Sequence, residues 1–167
     1  MEWLYEHNAD NSARYILGTQ GERPLICFGI NPSTAEPNRL DPTVNLVSRI
    51  AEAQGYDSFI MLNVYPQRAT NPNDLHRELE SELQHENEAQ IAALIAGRPH
   101  TLWAAWGGLI EKRAYLLPAV KRIVALPELQ NCQWVSRGRP TKNGHPHHPL
   151  YVRKEEPLTA FDCSIYG

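Results

Sequence analysis

Leu25-Ile26-Cys27-Phe28-Gly29-Ile30-Asn31-Pro32-Ser33 decides how the rest of the chain is read. It opens as a continuous apolar run of strand length, and Asn31-Pro32-Ser33 stops it. A run that is apolar on both faces fits a strand covered by helices on both sides of a sheet, the usual setting of parallel strands. Phe59-Ile60-Met61-Leu62-Asn63-Val64-Tyr65, stopped by Pro66, repeats the pattern, as does Thr101-Leu102-Trp103-Ala104-Ala105-Trp106 before Gly107-Gly108. Between these runs the spacing predicts helices. One covers 43–54, with Val44, Val47, Ile50 and Ala51 on one face and Gly55 as its stop; the others cover 75–96 and 109–120. Strands alternating with helices predict a three-layer α/β fold with a mostly parallel central sheet, because a parallel return needs a helix-length crossover. Residues 14–17 and 133–135 are weaker strand candidates. Residues 123–126 read as a short strand or as an extension of the preceding helix, and the tail after Val152 shows no clear periodicity.

The chain has 167 residues, 42% apolar and 21% charged, which suits one globular domain over 1–167; two domains would each have a thin core. The net charge of -3 gives no long-range attraction to nucleic acid or anionic lipid, although a local basic patch remains compatible with it. Cys27, Cys132 and Cys163 have no CxxC or Cys/His spacing for a zinc site, so no metal is expected, and so sparse an odd set fits a reducing compartment. No apolar run is long enough to span a bilayer. The start Met1-Glu2-Trp3-Leu4-Tyr5-Glu6 is acidic where a signal peptide is basic, which makes the cytoplasm the expected compartment.

Ligands in such folds sit where loops leave the carboxyl ends of the strands. That rule selects Gly29–Ser33, Asn63–Thr70 and Trp106–Gly108. In the first loop Gly29 permits a close approach, Pro32 stiffens the backbone, and Asn31 and Ser33 offer polar groups; the same residues also suit a plain strand-ending turn. The loop has neither the Walker nor the dinucleotide-binding glycine spacing. Asn63 ends an otherwise apolar strand, where an unpaired amide costs about 1–3 kcal/mol, so it serves either as a structural clamp or as a ligand contact. Arg68 follows in the same loop. Trp106 either packs in the core or borders a pocket. Asp41 either caps the helix that Pro42-Thr43 begins or supplies a carboxylate to the site.

The stretch 137–154 holds Arg137, Arg139, Lys142, Arg153 and Lys154 with no acid, inside an acidic protein. It reads as a place for phosphate or as a solvated basic loop. Its histidines, His145, His147 and His148, lack regular metal-ligand spacing.

Gly29-Ile30-Asn31-Pro32-Ser33, Met61-Leu62-Asn63-Val64, Leu102-Trp103-Ala104-Ala105-Trp106-Gly107 and His148-Pro149-Leu150 resemble, in this order, the landmarks of the uracil-DNA glycosylase superfamily. Over nearly its whole length, including Lys142-Asn143-Gly144-His145-Pro146-His147-His148-Pro149-Leu150-Tyr151-Val152, the chain also resembles the bacterial and phage family known as domain of unknown function 1643. The glycosylase resemblance implies that Asn31 orients water and the leaving base, in place of the aspartate of another branch. It further implies that Asn63 reads the base, that His148 assists its departure, and that Leu150 enters the emptied helical space. His145-Pro146 offers a second registration of the histidine loop, and neither registration carries the serine usual in the glycosylases. The partner so implied is DNA, with hydrolysis of an N-glycosidic bond that uses no cofactor. A free nucleotide, nucleoside or other small phosphorylated ligand on the same scaffold is the alternative, and a purely structural role is the third.

Overall fold

The computed structural model of the protein describes residues 2–153 and 156–167. Seven strands form one sheet: β1 (Trp3–His7), β2 (Arg14–Thr19), β3 (Pro24–Gly29), β4 (Ser58–Asn63), β5 (Thr101–Ala104), β6 (Gln133–Arg137) and β7 (Leu158–Ala160). Their spatial order is β1-β2-β4-β3-β5-β6-β7. The pairs β4–β3, β3–β5 and β5–β6 are parallel, whereas β1–β2, β2–β4 and β6–β7 are antiparallel. The sheet is therefore mixed, not mostly parallel. A parallel centre carries an antiparallel hairpin on one side and a short antiparallel strand from the tail on the other.

The three continuous apolar runs are the central strands, and they bury both faces. Leu25, Cys27, Phe59, Met61 and Trp103 pack on one side under α1 (Pro42–Ala53), which contributes Val44, Val47 and Ala51. Ile26, Phe28, Ile60, Leu62, Leu102 and Ala104 pack on the other, with Ile91 and Ile95 of α2 (Ser81–Ile95) and Leu116, Ala119, Val120 and Ile123 of α3 (Leu116–Val124). Helices on both faces give the three layers that the sequence implies.

Two helices differ from their expected bounds for identifiable reasons. Residues 76–80 are drawn out of the α2 ladder by side chains: His76 N donates to Gln67 Oε1 at 2.7 Å and Glu80 N to Tyr65 Oη at 3.1 Å. The segment expected as 109–120 breaks into a 3-10 turn at Gly108–Glu111 and then α3. Pro118 explains the break, because its ring excludes a helix running through from residue 114 and is tolerated only in a first turn. α3 then continues through Ile123 and Val124, so the first half of 123–126 is helix extension and none of it is strand. The tail holds β7 and a 3-10 turn at Cys163–Tyr166. Among the described residues, no helix is long and apolar enough to cross a membrane.

Candidate functional site

The parallel pairing of β3 with β4 sets Gly29 directly beside Asn63. Val64 N donates to Gly29 O and Tyr65 N to Ile30 O, each at 2.9 Å, so the first two strand-end loops leave the sheet side by side. Asn63 is only 1% exposed, and its Nδ2 has no partner among the described residues. A Cβ on Gly29 would lie 3.0 Å from Asn63 Oδ1; the glycine leaves room for the amide to lie across β3. From the opposite face, α2 holds the backbone of this strand end. Asn87 Nδ2 donates to Asn63 O at 2.9 Å and Gln84 Nε2 to Val64 O at 3.0 Å.

Asn31 ties the two loops together. Its Nδ2 faces the carbonyl oxygens of Pro32 (2.9 Å), Gln67 (3.2 Å) and Ala69 (2.9 Å). These bonds occupy the nitrogen end of the amide and leave Oδ1 as its free end among the described residues. Ala69 N returns a bond to Pro32 O at 2.9 Å, and the hydroxyls of Ser33 and Thr70 pair across the gap. Arg68 fastens the first loop from below through Ser33 O at 2.7 Å and Ala35 O at 3.2 Å. Arg14, 1% exposed, reaches the same Ala35 oxygen at 3.0 Å. Burial and the neighbouring Arg68 push its guanidinium down to about 10, with Asp41 opposing the shift, so it stays protonated at neutral pH.

Asp41 caps α1, accepting from Val44 N at 2.9 Å. His148 stands over Gly107, whose φ of 71° places the chain where an added Cβ would come within 3.3 Å of His148 Cβ. His148 Nδ1 accepts from Leu150 N at 3.2 Å, which in the neutral ring puts the proton on Nε2. Burial lowers the pKa of this imidazole, and the charge of Asp41 offsets part of the effect. The 3-10 turn that follows, Pro149–Tyr151, buries Pro149 but leaves Leu150 47% and Tyr151 77% exposed.

Trp106 and His145 lie in a separate network on the α2–α3 face. Trp106 Nε1 donates to Tyr166 Oη at 2.9 Å, and Tyr166 Oη lies 2.9 Å from His145 Nδ1. Indole nitrogen only donates, so the tyrosine oxygen accepts from Trp106 while it pairs with His145 Nδ1. His145 Nε2 meets Glu111 Oε2 at 2.8 Å, and Asn143 Nδ2 donates to the same oxygen at 2.9 Å. Asn143 and His145 together hold the Glu111 carboxyl below the usual range.

Arg137 is buried at the end of β6, donating to Glu156 O at 3.0 Å and Arg153 O at 2.9 Å and lying over the Trp103 ring. Arg139, Lys142 and Arg153 are exposed, and Lys154 falls outside the described residues.

The fold thus brings Gly29, Asn31, Pro32, Ser33, Asn63 and Arg68 together at the ends of β3 and β4, and sets His148 against Gly107 in the loop after β5. It places Trp106 and His145 in a network on the other face of the sheet. Sequence reasoning did not single out Arg14, Gln84, Asn87, Glu111 or Tyr166. Gln84 and Asn87 were the most accessible of these, as amides at helical spacing with the buried Ile91 and Ile95.

The chain matches the family described as protein of unknown function (DUF1643) over residues 14–150 and belongs to it. No curated protein and no solved structure matches it.

Proposed function

We propose that this chain is a uracil-DNA glycosylase-like protein that recognises a base in DNA through the amides at the ends of β3 and β4. The observation that carries the reading is Leu150, an apolar side chain 47% exposed on a turn capped by His148. In water an exposed leucine gains nothing, whereas in a duplex it fills the space left by an extruded base. Tyr151, more exposed still, adds a face on which a base can stack. Among the described residues, Arg139, Lys142 and Arg153 are exposed cations of the same chain segment, suited to phosphates.

At the strand ends, Asn63 would read the base edge with the Nδ2 hydrogens that have no partner among the described residues. His148, with its proton on Nε2, would donate to the departing base. Asn31 Oδ1 would orient water by accepting a hydrogen bond. An amide does not take up a proton as a general base does, so acceleration of N-glycosidic hydrolysis in this site would come from electrostatic stabilisation of the sugar cation. Because Asn63 is 1% exposed, the reading requires the loops around the ends of β3 and β4 to open as a base enters.

Fluorescence anisotropy with uracil-containing, abasic and unmodified duplexes across salt, paired with a uracil-release assay, tests the reading. Preferential, salt-sensitive binding to the first two, weakened by Leu150→Ala, is the expected result. Failure to bind or cleave any duplex or single strand would remove DNA from consideration.

The net charge of -3 favours a second reading, in which the same amides hold a free nucleotide or other small phosphorylated ligand. A native-state ligand of that kind raises the unfolding temperature in a nucleotide screen.

A further inference from the structure

Asn11, Ser33, Thr34, Glu36, Arg68 and Thr70 wall a cavity of about 330 Å³ between the first two strand-end loops, at the β2 side of the sheet. We infer that this cavity is a seat for a phosphate group, held by loop hydroxyls and amides over the guanidiniums of Arg14 and Arg68.

Charge is the first support. Arg14 and Arg68 converge on one carbonyl oxygen, that of Ala35. Neither has a carboxylate within ion-pair distance among the described residues. The other oxygens that Arg68 meets are likewise uncharged, and Asp41 acts on Arg14 only from beyond ion-pair distance, so the pair leaves a positive potential for an anion to complete. Glu36, the one acid in the wall, is paired with Arg39 at 3.5 Å.

Donor supply is the second. Arg68 itself is spent on the protein: Nη1 on Ser33 O and Ala35 O, Nη2 on Tyr5 Oη and Asn11 Oδ1, Nε on Asn11 Oδ1. It supplies fixed charge rather than a direct contact. The direct donors are the Thr34 hydroxyl and one of the Ser33 and Thr70 hydroxyls, the other having given its hydrogen to its neighbour, together with the backbone N–H groups of the same three residues. Those three N–H groups make no hydrogen bond to any described residue. Hydroxyls and unpaired amides around a cationic floor are the chemistry that recognises phosphate oxygens.

This seat does not depend on base reading, because the phosphate can belong to a monoester of a small ligand or to the diester of a nucleic acid strand. The test is an NMR titration of the full chain with inorganic phosphate, a nucleoside 5′-monophosphate and an oligothymidylate, each at constant ionic strength against chloride. The backbone amides of Ser33, Thr34 and Thr70 should shift saturably with at least one of these probes. Response to the monophosphate assigns a monoester source, and response to the oligomer alone assigns a diester source. Thr70→Glu, at an exposed position, puts a like charge in the seat and should weaken the response by about tenfold or more. Ser33→Ala combined with Thr34→Ala removes two hydroxyls and should weaken it without adding charge. No saturable shift with any probe, or an undiminished one in both variants, overturns the seat. Uracil release, measured separately, reports on the base-reading proposal alone.

Discussion

Arg14 and Arg68, from β2 and from the loop after β4, donate to the same carbonyl oxygen of Ala35, at 3.0 and 3.2 Å. One shared acceptor therefore fixes two like charges and pins the loop that follows Asn31. Since Arg68 keeps the oxygen satisfied, Arg14→Met, which removes a buried charge at similar volume, should change stability by no more than about 1 kcal/mol. Arg14→Ala, which also opens a void, should cost about 2–4 kcal/mol. Urea unfolding of the two variants beside the wild type separates charge from packing.

Gly29 and Asn63 are expected to couple. A methyl group at Gly29 would press on Asn63 Oδ1, so Gly29→Ala should cost about 1–3 kcal/mol in the wild type. In an Asn63→Ala background the obstacle is gone and the penalty should largely vanish. A double-mutant cycle by chemical denaturation reads this directly, and additive effects would show that the two do not press on each other.

Tyr166→Phe should destabilise the protein by about 1–3 kcal/mol, because it strands the buried Trp106 N–H and removes the partner of His145 Nδ1. The expected spectroscopic companion is a shift in the Trp106 indole N–H resonance. An unchanged unfolding midpoint would mean that water replaces the hydroxyl without cost.

His148 links stability to pH. Its pKa is lowered in the folded protein from the ordinary 6.5, chiefly by burial, so the unfolded chain takes up the proton first as pH falls. The contribution is fully present above 6.5 and is lost as pH falls through the lowered folded value. His148→Gln, which cannot titrate there, should flatten this part of the stability profile relative to wild type. Parallel profiles for the two proteins would rule out His148 as the source.

Much of the centre was legible because β3, β4 and β5 are buried on both faces and so appear as unbroken apolar runs. Asp41-Pro42-Thr43 likewise marks the start of α1 through local cap chemistry, which needs no distant partner. The mixed character of the sheet was not legible. Trp3–His7 is half exposed with one paired edge, and Leu158–Ala160 is three residues long, so neither carries a run or a sustained alternation. That Gly29 and Asn63 end central strands was legible, but their adjacency comes from the pairing of β3 with β4. Arg14 escaped notice because a single charge beside Tyr15-Ile16-Leu17 looks like a strand margin. Its meaning comes from Ala35, 21 residues away. Trp106 and His145 are attractive ligand contacts by residue type, yet Tyr166 in the aperiodic tail is what they bond.

The strand order carries a consequence for synthesis. β2 is made directly before β3, but in the finished sheet β4 lies between them. All of β2 is buried, so a growing chain must carry that surface until residues 58–63 emerge and slot in beside it. The waiting interval is when an unassembled edge is open to neighbouring polypeptides, and it is where a chaperone would find most to hold.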